Sequence, residues 1–238
     1  MRDGSSRLST PLVLLLLALL ILAWDFSGLD RLSLGWVGGP AGFAGRNHPL
    51  LAQGLHDGGR LVSALALLLS AWACLAPEFG RGGASSLSRA ERAVWLSGLL
   101  LALLLVPMLK QFSTTSCPWS LVEFGGRAHW VSHWDWAQQD GGPGHCFPSG
   151  HAAGAFAHLA TVWAWQRRQP ARARRLLAAV LTAGLLFGLA QWLRGAHAPS
   201  HSLWSAWLCA ALSWGWQAAW LGRRAMRPVT GPLQNSST

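Results

Sequence analysis

Six apolar runs, separated by short polar stretches, constrain this chain more than any other feature. They lie at about 11–24, 60–77, 93–109, 151–165, 176–193 and 203–221. Several are nearer 15 to 18 residues than the ~20 that an average bilayer needs, so each draws flanking residues into its span. Only 12% of the residues are charged, against roughly 25% in a soluble domain. The pattern predicts an all-α polytopic membrane protein, a bundle of six transmembrane helices. The first run follows Arg2 and Arg7 like a signal peptide, but "LAWDFSG" after it is a poor cleavage site, so it reads as a retained helix.

Charge sets the orientation. Both termini and the second and fourth loops fall on one side. That side takes Arg2, Arg7, Arg81, Arg89, Arg92, the arginines of "RRQPARARR", Arg223, Arg224 and Arg227. The whole net charge of +10 lies there, so both termini are expected in the cytoplasm. A charge of that size also raises nucleic acid as a partner. The basic residues sit between apolar runs and form no basic domain, so nucleic acid is set aside. Sixteen Trp and no Tyr supply interfacial belts.

The chain reads as one domain over 1–228, with a disordered tail at 229–238. The cytoplasmic loops are short and basic. The outer side carries two longer segments, 25–59 and 110–147, and "LLAQGLHDG" in the first predicts an interfacial helix.

Three polar clusters face outward at helix ends: "LKQFSTTSCPW", "CFPSGHAAGAFAH" and "LRGAHAPSHSLW". They share one membrane depth, so they can converge. Pro148 and Ser149 start a helix, and free N–H groups at such a start, with Gly150, favour an anion. His151 stands where it can deliver a proton. An ordinary Pro-Ser cap with an interfacial histidine is the plainer reading of that cluster alone. In the third, His197 is a candidate nucleophile near pH 7. With His201 it also forms a His-x3-His pair, but a metal needs further ligands, and no partner motif is present.

Together the clusters resemble the type 2 phosphatidic acid phosphatase superfamily of membrane lipid phosphatases, as a divergent bacterial member. That family's pattern is Lys, six residues, Arg-Pro; then Pro-Ser-Gly-His; then Ser-Arg, five residues, His, three residues, Asp. The middle motif is intact at Pro148-Ser149-Gly150-His151, and the resemblance is strongest over 60–221. Cys117-Pro118 stands for Arg-Pro, Gln191 for the second Arg, and His201 for the Asp. Arg194, one turn beyond Gln191, and Arg127, in the outer loop, are the candidate substitutes.

The resemblance implies a lipid phosphate phosphatase of lipid metabolism in the bacterial inner membrane, its site facing the periplasm. Lys110, Ser149, Gly150, Arg194 and Arg127 hold the phosphate. His197 attacks to form a phosphohistidine, and His151 protonates the leaving alkoxide. No metal or other cofactor is called for. The substrate is a membrane lipid of the phosphatidic acid, phosphatidylglycerol phosphate or undecaprenyl pyrophosphate class. Since no carboxylate follows Asp140, His197 is oriented by His201 itself, a backbone carbonyl, or a distant acid such as Asp135, Asp140, Glu123 or Asp57.

Cys117 and Cys146 lie on the expected oxidising side, each beside a site cluster, and predict a disulfide. It closes a loop of about 30 residues, worth roughly 3–4 kcal/mol in the chain-entropy model. Three other functions stay open: transfer of phosphate to a second lipid, a catalytically lapsed binder of lipid phosphates, and a Ser149–His197 dyad of the rhomboid protease kind. Against the last, the Gly-x-Ser-Gly pattern is absent.

Overall fold

The computed structural model describes residues 9–76 and 86–225. The tail at 229–238, with Arg2, Arg7, Arg81 and Arg227, lies outside them. The elements are almost all helical: α1 (Thr10–Phe26), α2 (Leu29–Gly35), α3 (Gly58–Leu75), α4 (Arg89–Gln111), α5 (Gly150–Phe156), α6 (Leu159–Trp165), α7 (Pro170–Leu193) and α8 (Pro199–Ala225).

The described parts of all six apolar runs fall on helices, but they do not make six equal spans. Leu50–Leu75, Arg89–Gln111 and Pro170–Leu193 are each long and apolar enough to cross a membrane. The pair α1 and α2 makes a fourth if it counts as one span, bent by 61°. The bend falls at Gly28, whose φ of 75° suits glycine. The fourth run is cut at Ala157 and His158 into two helices of seven residues each. The expected interfacial helix is not separate. Leu50–Asp57 forms a π-helical turn that runs straight into α3, because Asp57 and Gly58 both keep helical angles and no cap intervenes.

Local signals explain the other ends. Ser88 and Glu91 form a capping box: Ser88 Oγ accepts from Glu91 N at 3.3 Å, and Glu91 Oε2 accepts from Ser88 N at 2.7 Å. The same carboxylate takes Arg168 at 2.9 and 3.0 Å, tying the α6–α7 turn to α4. Pro170 starts α7, and Pro199 starts α8.

The bundle core joins Trp95, Leu99, Ala102 and Val106 of α4 to Ala152, Ala153, Phe156 and Ala160 of α5 and α6. Small residues allow this closeness. A Cβ on Gly184 would collide with the Phe156 ring, so α5 and α7 meet through that glycine. Leu61, Leu65, Leu68 and Trp72 of α3 point outward, which fits lipid contact.

A second, smaller core sits over the outer end. A two-residue hairpin, β1 (Gly38–Gly39) and β2 (Gly42–Phe43), brings Phe43 to 4.7 Å from Phe124. Leu34, Leu121, Ala128 and Ala198 complete the cluster. Trp119 N donates to Gly195 O at 2.8 Å, so this cap grips the α7–α8 turn.

Candidate active site

The α7–α8 turn is the centre of the site. Gly195 takes φ 67°, and Ala196 N and His197 N both donate to Gln191 O, at 2.8 and 3.3 Å. The chain thus folds back on the end of α7 and carries His197 inward, 3% exposed. Its Nδ1 lies 3.4 Å from His201 Nδ1. Burial holds the His197 imidazole well below the usual histidine range, and the charges of His201, Lys110 and His151 add to that. It is therefore neutral near pH 7 and keeps a nucleophilic lone pair.

α5 packs against this turn through buried bonds. Ser149 N donates to His201 O at 3.2 Å. Ser205 Oγ lies within hydrogen-bond distance of both His201 O, at 2.8 Å, and Ser149 O, at 2.9 Å. Ser149 Oγ accepts from Ala152 N as a helix cap. Among the described residues no contact joins Ser149 to His197, so the protease-type dyad is not assembled. Among the described residues nothing lies within 4 Å of where a Cβ on Gly150 would stand.

Two side-chain nitrogens of the site lack partners. His151 Nε2 and Gln191 Nε2 are both buried without a hydrogen bond among the described residues. Arg194 Nη1 donates to Gln191 Oε1 at 3.3 Å, which fixes the amide so that its NH2 end is the free one. Lys110, in the last turn of α4, is half-buried. Its charge and those of Arg60 and Arg194 reach His151. Buried polar groups are normally paired, and the Gln191 amide nitrogen, Lys110 and Arg194 are donors, so the set suits an anion.

The structure thus draws Lys110, Ser149, Gly150, His151, Arg194, His197 and His201 into one region. Arg127 is not drawn in. Its side chain is exposed, and its backbone is held away in the outer loop by Ser120 O. Sequence reasoning also missed Gln191 as a donor, His56, whose ring lies 3.9 Å from that of His151, and Arg46, whose carbonyl accepts from Arg194 Nε at 3.1 Å.

Cys117 and Cys146 form a disulfide, with Cα atoms 5.1 Å apart. Cys146 Sγ lies 3.5 Å from His197 Nδ1. Cys146, His197 and His201 cluster closely enough to suggest a metal. The donor chemistry does not fit one, because a disulfide sulfur is no thiolate and two imidazoles remain.

Two acids that the sequence did not single out support the turn. Asp30 Oδ1 accepts from Ser200 N at 3.0 Å and Trp24 Nε1 at 2.7 Å, and its Oδ2 takes the Ser200 hydroxyl. Asp30 therefore caps the start of α8 from a distant helix. Asp25 binds Trp134 and Trp204 nearby. Of the acids expected to orient His197, Asp57 pairs with His56 and Glu123 with Arg31. Asp135 is half-buried in the outer loop, where its carboxylate faces Gln138 N at 3.3 Å.

A family model of the PAP2 superfamily matches residues 93–224. The chain belongs to that superfamily. PAP2 proteins are in general phosphatase-type hydrolases, and membership with membrane-compatible helices supports such an activity here. The PAP2 match contains Lys110, His151 and His197 but begins after α1, α2 and α3, so Asp25, Asp30 and His56 lie outside it. Comparison with curated proteins and with solved structures gives no match.

Proposed function

We infer that this PAP2 protein is an integral-membrane lipid phosphate phosphatase. It crosses the inner membrane six times with both termini in the cytoplasm, and its site faces the periplasm. The observation that carries the reading is the set of buried, unpartnered donors, His151 Nε2 and Gln191 Nε2, beside Lys110 and a neutral His197. Such a set is complementary to a phosphoryl group and to the charge that develops on it during transfer.

In the reaction the His197 Nε2 lone pair forms a bond to phosphorus as the bond to the lipid oxygen breaks. His151, in its protonated form, gives its proton to that oxygen. Water then loses a proton to His151 and displaces phosphate from His197. Lys110, Gln191 and Arg194 hold the phosphate oxygens throughout, and no metal or other cofactor takes part.

The test uses the full chain purified in detergent. Phosphate release is measured from phosphatidic acid, phosphatidylglycerol phosphate and undecaprenyl pyrophosphate, beside His197→Ala. Release from at least one lipid, abolished by His197→Ala, is expected, and acid-labile label from a 32P-lipid should stay on the wild-type chain. Binding without release from any of the three would mark a lapsed binder. Label appearing on an added lipid alcohol would mark a transferase.

A further inference from the structure

PAP2 proteins with the full pattern carry a carboxylate at the position of His201. An imidazole there supplies no fixed negative charge, and although the Cys146 backbone already accepts from His197, a carboxylate acting on that ring must come from another source. Asp25, in the last turn of α1, has a side chain only 2% exposed. Its Oδ2 accepts from Trp134 Nε1 at 2.9 Å and Trp204 Nε1 at 2.8 Å, and His133 Nε2 lies 3.3 Å away. The His133 contact is long and poorly aligned, so its effect is electrostatic. A carboxylate buried this fully is costly unless it is hydrogen-bonded or paired with a charge.

His133 is fixed in turn. It stacks on Phe147 with ring centres 4.0 Å apart and meets His201 edge-on at 5.7 Å. Both His133 and His201 line a cavity of about 20 Å³, which is room for one water. Asp140 also lines it, but its oxygens already serve Ser116 N at 2.5 Å, Ser116 Oγ at 2.9 Å and Gly142 N at 2.9 Å. Asp140 holds the outer loop; Asp25 has an oxygen, Oδ1, with no partner among the described residues.

We propose that Asp25, acting through His133 and His201, is the carboxylate that positions His197. The tautomers follow in one direction. With Nε2–H toward Asp25, His133 presents Nδ1 as an acceptor. A water in the cavity passes a hydrogen bond from His201 Nε2–H to that nitrogen. His201 Nδ1 is then an acceptor, and it holds His197 as the Nδ1–H form with Nε2 free to attack. As the N–P bond forms, positive charge on His197 is favoured by the Asp25 carboxylate; no proton needs to move along the chain. Asp25, His133 and His201 are positioning residues, and the proposal rests on the phosphatase reading above.

The experiment places Asp25→Asn in the wild-type chain and in His201→Asp, which restores a carboxylate beside His197. In the wild type Asp25→Asn should lower kcat about 10- to 100-fold with KM unchanged, the scale of outer partners of working imidazoles. In His201→Asp the same change should cost less than about 3-fold. His133→Phe keeps the stack on Phe147 and should repeat the kcat loss, which covers the case that Asp25→Asn folds poorly. Equal losses in both backgrounds, or a loss confined to KM, would overturn the proposal. Two-bond 1H–15N spectra of 15N-histidine protein read the same point without turnover: His197 should be the Nδ1–H tautomer in the wild type and a mixture in Asp25→Asn. If no lipid is hydrolysed but this spectral change appears, the phosphatase reading fails and the positioning chain stands. An unchanged His197 tautomer sinks the chain whatever the activity.

Discussion

Residues 93–224 and residues 9–76 contribute to the site in different ways. The first stretch carries the family match and every group placed around the anion space: Lys110, His151, Gln191, Arg194 and His197. The second brings no group expected to react. It brings Asp25, Asp30, Arg46 and His56, which hold the reacting turn in place from outside. The first stretch supplies the groups around the anion space, and the second supplies the Asp30 carboxylate and the Arg46 carbonyl as acceptors and the charge of Arg60. Here the buried carboxylates that bond to the start of α8 come from the helices in front of the family stretch.

The sharpest break in that comparison lies within the family stretch. Lys110→Ala should lower kcat/KM by about 10²- to 10³-fold, the scale of losing one donor to a developing anion, and Arg127→Ala should change it less than 2-fold. A large Arg127 effect in phosphate-release kinetics would return that residue to the site. Next comes Asp30→Ala. It strips a charged acceptor from Ser200 N and its hydroxyl, at a cost of about 2–4 kcal/mol, and thermal melts in detergent should show it. Loss of the Cys117–Cys146 disulfide by double serine substitution should cost up to roughly 3–4 kcal/mol, read as a lower melting temperature and faster proteolysis at 112–147.

A pH profile separates the regions more finely. The His197 value is depressed, so the neutral form persists below pH 6.5 and is lost only as pH falls through the lower folded value. The acid limb of kcat/KM set by His197 should therefore lie well under pH 6.5. In His201→Asp the added negative charge favours imidazolium, and that limb should move up. No movement would mean that position 201 does not govern the charge of His197. The smallest effect expected is for His56→Ala, a few-fold rise in KM, since a ring resting on His151 from the first stretch shapes the site without holding phosphate.

Much of this was legible in the residues themselves. The apolar runs mark the helices because burial and lipid select the same side chains, and the three polar clusters mark the outer helix ends. The breaks inside runs were harder. Asp57 and Gly58 look like a helix boundary, yet both keep helical angles. Partners across the fold were the least legible. Asp30 and Ser200 are 170 positions apart, and no local spacing links them. Spacing points to loop carboxylates such as Asp135 and Glu123, whereas Asp25 and Asp30 end the first helix and begin the second, far in sequence from the histidine turn. The signal was there in "WDFSGLD": two acids at the end of an apolar run, each with an indole donor to meet it.

The left-handed turn at Gly195 carries a further consequence. A side chain there would be strained by φ 67° and would also strike the Phe43 ring. The hairpin and the histidine turn are thus locked by a single missing methyl group. Neither can drift by small mutational steps while the other stays. Any descendant that redesigns the hairpin inherits a frozen turn, and one that redesigns the turn must first give up the hairpin.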